Sequence, residues 1–233
     1  MTSIVARDTD AGAVGSCRMP WHPLERATLA HALRAAGPDR PTLCAGWASR
    51  HLAAHVVLRE TAPLVAAGAV LPPLSRRTER AIDALAERSA DSGAYAALVD
   101  RVERGPGRWS PMSLMGDAGN LLEFFIHTED VRRGAGPVPP LELDPAHTEA
   151  IWSRLARQAP LLYRRAPVGI VLVVPGGPRR AVRRPKGDAG TVVVRGEVGE
   201  LALHAFGREG AAHVDVLGDP ADVEALQRSG TGV

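Results

Sequence analysis

The sequence has 233 residues, and its 28 Lys and Arg residues nearly balance its 26 Asp and Glu residues, leaving a formal net charge of +2. Such a balance provides no whole-molecule field that would favour nucleic acid or an anionic membrane, so neither is expected as a partner. Hydrophobic residues make up 45% of the chain but aromatic residues only 4%. A core of Ala, Leu and Val suits close-packed helices, so the composition favours a helix-rich fold.

The cysteine content and the lack of apolar segments predict a cytoplasmic protein. Cys17 and Cys44 are too few for a disulfide framework. Residues 1–20 have no continuous apolar segment, and no apolar stretch reaches the roughly 18–20 residues that span a bilayer. Lys186 is the only lysine, and we interpret this arginine bias as high genomic GC content, which indicates an actinobacterial source.

Residues 1–19 lack periodicity and are predicted to be a flexible leader. Apolar periodicity then predicts helices at 23–36, 48–67 with an interruption near Pro63, 78–89, 91–103, 120–133 and 144–163. Gly37-Pro38 and Gly134 are typical helix ends, and Asp144-Pro145 is a typical helix start.

After residue 165 the pattern changes to short β-branched runs. Strands are predicted at 168–174, 191–194, 200–205 and 213–217, followed by a helix at 219–229. The basic run from Arg179 to Lys186 is interpreted as a solvated face or a protected strand edge, with a patch for an acidic ligand as the alternative. The predicted class is α+β, with a leader (1–19), a helical domain (20–165) and a small α/β domain (166–233).

Glu123 and His127 are four residues apart, so a helix places both on one face. A carboxylate and an imidazole in this arrangement can share a divalent metal such as zinc. The same spacing also occurs in surface contacts, and the pair alone leaves both interpretations open.

His55 lies in the apolar stretch 52–58, where an unpaired polar group is costly. It therefore needs a partner. The partner is either a metal or a backbone carbonyl, as for a core histidine.

Three segments resemble one protein family. The segment PTLCAGWASRHLAAH, from Pro41 to His55, resembles the C-x-G-W-x4-L-x2-H signature of the DinB-like metalloenzymes, specifically the mycothiol-dependent maleylpyruvate isomerase N-terminal family. The segment EFFIHTEDVRR, from Glu123 to Arg133, is similar to the E-x3-H segment of an actinobacterial metal-binding subgroup. The third segment, residues 199–208 together with 214–218, resembles the small C-terminal domain of these proteins, so the resemblance covers nearly all of the chain from residue 24.

The resemblance implies an up-down four-helix core that binds a metal through His55, Glu123 and His127. Zinc is the first expectation, and nickel or iron also suit two imidazoles and one carboxylate. Three protein ligands leave a coordination position open for water or substrate.

Two residues depart from the family pattern. His51 stands where the family commonly has an acidic residue, and it is a fourth metal ligand, a partner that supports the ligands or a solvated residue. Ala48 replaces the hydroxyl residue that usually caps this helix, so the helix start should be less well satisfied unless Ser49 takes that role.

The family resemblance also implies a reaction. In the family the open metal position binds a low-molecular-weight thiol, mycothiol in actinobacteria, as thiolate. A thiolate can add to a small electrophilic substrate, which gives S-transfer or, after elimination, cis–trans isomerisation. Arg208 resembles the C-terminal-domain arginine of the isomerase and is the candidate catalytic residue that anchors a substrate carboxylate. Arg59 and Arg132 are further candidates, and each of the three has a structural ion pair as its alternative.

The same three ligands leave other functions open. They would also support hydrolysis by a metal-bound hydroxide, oxygen activation with iron, or a non-catalytic metal-binding protein. Neither the substrate nor the oligomeric state is predicted.

Overall fold

Helices dominate the first two thirds of the chain. The computed structural model describes residues 20–62, 72–107 and 110–232. The predicted leader with Cys17, and the predicted end of the second helix near Gly68, lie outside these residues. The helices are α1 (His22–Ala36), α2 (Ser49–Thr61), α3 (Pro72–Glu87), α4 (Ser92–Arg104), α5 (Pro111–Met115), α6 (Asp117–Arg133) and α7 (Pro145–Leu162).

A small mixed sheet follows the helices. Its strands are β1 (Gly169–Val173), β2 (Arg179–Arg183), β3 (Thr191–Arg195) and β4 (Asp215–Leu217), in the order β2-β1-β3-β4. Strands β1 and β3 are parallel, and the two outer strands pair antiparallel with them. Helix α8 (Val198–Ala205) precedes β4, and α9 (Pro220–Ser229) follows it. The predicted α+β class is confirmed.

Within the described residues, no helix has the length and apolarity to cross a membrane.

The structure corrects one predicted element and adds two, α5 and β2. The predicted strand at 200–205 is wrong, because this segment belongs to α8. A short apolar run does not distinguish a strand from a buried helix, and α8 is buried on nearly every side between α6, α7 and the sheet.

The basic run forms edge strand β2, in which Arg179 and Arg180 are exposed and Val182 is buried. Exposed arginines at a sheet edge discourage pairing with other chains.

Helix α6 is shared by two hydrophobic cores. Phe124 and Val131 pack into the core formed with α1–α4. Leu121, Phe125 and Ile126 pack into the second core, which contains α7, the sheet and α8. Since α7 packs in the same core as the sheet, this core crosses the boundary predicted at residue 165.

A buried ion-pair network connects α6 to α8. The Arg133 side chain donates to the Glu129 carboxylate one turn earlier, and its Nη2 donates to Glu200 Oε1 on α8 at 2.6 Å. The second Glu200 oxygen accepts the His213 backbone N–H at 2.7 Å. All three charged groups are buried and paired, which buried charges require.

The C-terminal end of α6 supports the loop that carries the first motif. The Leu43 backbone N–H donates to the Asp130 carbonyl at 3.0 Å. At Gly134 the loop comes so close that a Cβ would lie 2.1 Å from the Pro41 carbonyl oxygen and 2.3 Å from the Thr42 Cα. Only glycine permits this approach, since both contacting atoms belong to the backbone.

We expect Gly134→Ala to lower the free energy of unfolding by about 2 kcal/mol, because the added methyl group forces the loop away from α6. Urea-induced unfolding would measure this change. Gly210→Ala is the matched control, because a Cβ at Gly210 meets no atom within 4 Å and its φ is not positive. Equal stability of the two variants would contradict the close approach at Gly134.

Candidate metal centre

Helices α2 and α6 bring the three predicted metal ligands together. Glu123 Oε1 lies 3.3 Å from His55 Nε2 and 3.3 Å from His127 Nε2. One ligand atom from each residue lies within 4.8 Å of the other two, which is close enough to share one ion. The i, i+4 spacing places Glu123 and His127 on one face of α6, and the packing of α2 against the bundle core brings His55 opposite them.

The site opens to solvent at Glu123. Between Asn120 and Val131 every residue of α6 is buried except Glu123, whose side chain is 24% exposed. The His55 side chain is 19% exposed, and the Trp47 ring lies 5.3 Å from its imidazole. Part of the Glu123 and His55 side chains therefore reaches solvent.

Asp130 fixes the orientation of His127. Its Oδ2 lies 2.9 Å from His127 Nδ1, which directs Nε2 of the ring toward Glu123. Burial alone would raise the pKa of Asp130, but hydrogen bonds from His127 and Arg208 outweigh it and lower that pKa to about 2. Asp130 is thus a fixed carboxylate behind the histidine, the arrangement in which metal-bound histidines usually occur.

The pKa values of the two histidines shift in opposite directions. Burial lowers the pKa of His55, which favours the neutral imidazole that a metal requires. Burial also acts to lower the pKa of His127, but hydrogen bonds to Asp130, Cys44 and Glu123 raise it well above the usual value. The pKa of Glu123 is held well below its usual range, because both histidines and Arg59 outweigh its burial. In a protonated His127, the proton on Nε2 therefore faces Glu123, in the place that a metal ion would take.

Arg59 lies beside the Glu123 carboxylate. Its Nε lies 3.2 Å from Glu123 Oε1, while its terminal nitrogens donate to the Asn120 side chain at 2.9 Å and to the Gly119 carbonyl at 2.6 Å. Arg59, a predicted candidate for anchoring a substrate carboxylate, thus lies at the site. It compensates the charge of Glu123 and connects α2 to the start of α6.

Arg208 reaches the site from the C-terminal part of the chain. Its Nε donates to Asp130 Oδ1 at 2.8 Å and its Nη2 to Asp130 Oδ2 at 2.7 Å. Cys44 Sγ lies 3.3 Å from the same Oδ2 and forms, with His127 and Asp130, a second group of potential ligand atoms. An arginine lies beside each group, Arg208 at the second and Arg59 at the first, so a neighbouring cation does not by itself favour one group over the other.

Neither Asp130 nor Cys44 is among the predicted site residues. Asp130 lies three residues after His127, and a carboxylate at that spacing is a recognisable partner for a ligand histidine. The role of Cys44 depends on the approach of its loop to α6, which the sequence does not encode locally.

A cleft of about 590 Å³ lies between the first-motif loop and the turn after α8. Its lining residues are Leu43, Cys44, Ala45, Gly207, Arg208, Gly210 and Ala211. Cys44 and Arg208, which both contact Asp130, connect this cleft to the candidate metal centre.

His51 and Arg132 lie elsewhere. His51 Nδ1 accepts the Ala48 backbone N–H at 3.2 Å, at a helix start that lacks a hydroxyl cap. The next two backbone N–H groups, of Ser49 and Arg50, donate to the Arg40 and Pro38 carbonyls. Ser49 does not take the capping role, because its hydroxyl donates to the Arg40 carbonyl. His51 belongs to neither group of potential ligand atoms in the described part of the chain. Arg132 pairs with Glu129 and donates to the Pro139 carbonyl at 3.1 Å.

Comparison with known proteins gives one structural match. No protein-family model and no curated protein matches the sequence. Among solved structures, the chain is similar to the crystal structure of the mycothiol-dependent maleylpyruvate isomerase, with 21% sequence identity and a TM-score of 0.53. The match covers 84% of this chain and 89% of that chain. The resemblance predicted from the motifs is confirmed at the level of the fold: this chain has the fold of the mycothiol-dependent maleylpyruvate isomerase.

Proposed function

We propose that the chain is a metal-dependent enzyme that uses a low-molecular-weight thiol, such as mycothiol, for S-transfer to, or cis–trans isomerisation of, a small electrophilic substrate. The observation that carries the proposal is the position of Glu123 Oε1 at 3.3 Å from both His55 Nε2 and His127 Nε2. The thiol and the substrate class are suggested by the fold shared with the mycothiol-dependent maleylpyruvate isomerase.

The donor set suits zinc, with His55, Glu123 and His127 as the ligands. Two imidazole nitrogens and one carboxylate oxygen leave a coordination position open. When bound there, zinc would lower the pKa of a thiol and so supply a nucleophile at neutral pH.

The remaining residues of the site prepare the ligands. Burial lowers the pKa of His55, which favours the neutral form, and Asp130 holds the His127 ring in one orientation. Arg59 offsets part of the negative charge of Glu123. The exposed edge of Glu123 and the neighbouring cleft would admit a small substrate.

We expect the protein, purified without added metal, to contain about one zinc ion per chain, as three ligands at one centre imply. His127→Ala should lose this metal, because the variant lacks one of the three ligands, the one that Asp130 orients. Elemental analysis measures the zinc content of the wild-type protein and of the variant. Iron in place of zinc would favour oxygen chemistry, and metal-free protein would overturn the proposal.

We expect His51→Ala to retain the metal, since the His51 ring already accepts a backbone N–H at the start of α2. This variant is the matched control for His55→Ala, because both change a histidine on the same helix one turn apart. Elemental analysis of the two proteins compares them directly. Loss of zinc from the His51 variant at unchanged helix content would make His51 a fourth ligand.

We expect the zinc-loaded protein to form an S-conjugate or an isomerised product from mycothiol and a small electrophile, with maleylpyruvate as the first substrate to test. Mass spectrometry identifies the conjugate, and absorbance follows isomerisation. Both products should disappear in the His127→Ala variant. A hydrolysed product formed without thiol would instead assign the site to a hydrolase.

A further inference from the structure

We infer that Arg208 is a positioning residue through which the C-terminal part of the chain sets the metal affinity of the helical bundle. It holds Asp130, and Asp130 in turn holds the ring of His127. The inference rests on the proposed metal site and adds to it the residue that keeps one ligand in place.

The guanidinium of Arg208 is committed to Asp130. Nε and Nη2 form one edge of the group, and they donate separately to the two oxygens of the same carboxylate, at 2.8 and 2.7 Å. This is the two-point geometry in which an arginine fixes both the position and the plane of a carboxylate. This edge is therefore occupied, and Nη1 on the other edge donates to the Phe206 carbonyl. Each guanidinium nitrogen thus already has a partner within the protein, which favours a positioning role over the predicted substrate anchor.

Asp130 depends on this contact. Its side chain is fully buried, and its Oδ2 also lies 2.9 Å from His127 Nδ1 and 3.3 Å from Cys44 Sγ. A buried carboxylate that loses its cationic partner is strongly destabilised and moves toward water or another donor. Such a movement would release the His127 ring, whose Nε2 would then no longer be directed at Glu123.

Arg208 is itself held by the turn that follows α8. Its Nη1 donates to the Phe206 carbonyl at 2.6 Å, and its backbone N–H donates to the Leu203 carbonyl at 3.0 Å. The Thr231 hydroxyl, near the end of the chain, donates to the His204 carbonyl in the last turn of α8. The contacts therefore run from the C-terminal tail through α8 and Arg208 to Asp130 and His127.

The test is a double-mutant cycle in zinc affinity, measured by competition with a chromogenic chelator. We expect Asp130→Asn and Arg208→Ala each to weaken zinc binding by about 10- to 100-fold, the range for partners of ligand histidines. The double variant should bind zinc no more weakly than Asp130→Asn alone, because Arg208 acts through Asp130. Arg208→Lys should recover only part of the affinity, since an ammonium group lacks the planar fork.

Arg133→Ala is the matched control, because Arg133 is also a buried arginine that connects α6 to α8 but does not contact Asp130. Urea unfolding of each metal-free variant reports stability separately from affinity, and Arg208→Gln replaces Arg208→Ala if the latter does not fold.

Wild-type zinc affinity in the Arg208 variants would overturn the inference and leave the metal site intact. Equal weakening by Arg133→Ala, or additive losses in the double variant, would also overturn it. Absence of zinc binding by the wild-type protein would overturn the proposed function as well.

Discussion

Helix α6 is enclosed on almost every side, and the rest of the structure depends on this enclosure. One side of the helix completes the core of α1–α4, and another lies against α7, the sheet and α8. Any polar side chain on such a helix must find a partner inside the protein. The Glu129–Arg133 pair reaches Glu200, and the His127–Asp130 pair reaches Arg208. The pairing that burial demands is thus the same pairing that orients a candidate metal ligand.

The helical bundle and the α/β part are consequently coupled at the site. The bundle supplies His55, Glu123 and His127, while the C-terminal part supplies the cation that neutralises Asp130. The cleft lies at this junction, between the first-motif loop and the turn after α8. A small molecule bound in the cleft would touch both parts.

The strongly periodic helices were predictable because their apolar positions and their Gly and Pro boundaries act locally. Helix α6, for example, ends at the predicted Gly134. Helix α8 was predicted as a strand because its apolar run is short, although its Leu and Ala residues have high helix propensity. His51 illustrates a similar limit. Its spacing from His55 is visible in the sequence, but its acceptance of the Ala48 N–H depends on the backbone at the start of α2.

The sequence by itself determined the α+β class and nominated His55, Glu123 and His127, because helical spacing and two contiguous motifs are local properties of the chain. Tertiary structure decided which polar groups support these residues. Asp130 lies one turn from His127 in the sequence, but Arg208 is 78 residues away from Asp130. Only the packing of α8 against α6 brings that guanidinium to the buried carboxylate. Contacts of this kind arise from the burial of charges in a folded core, which no local pattern records.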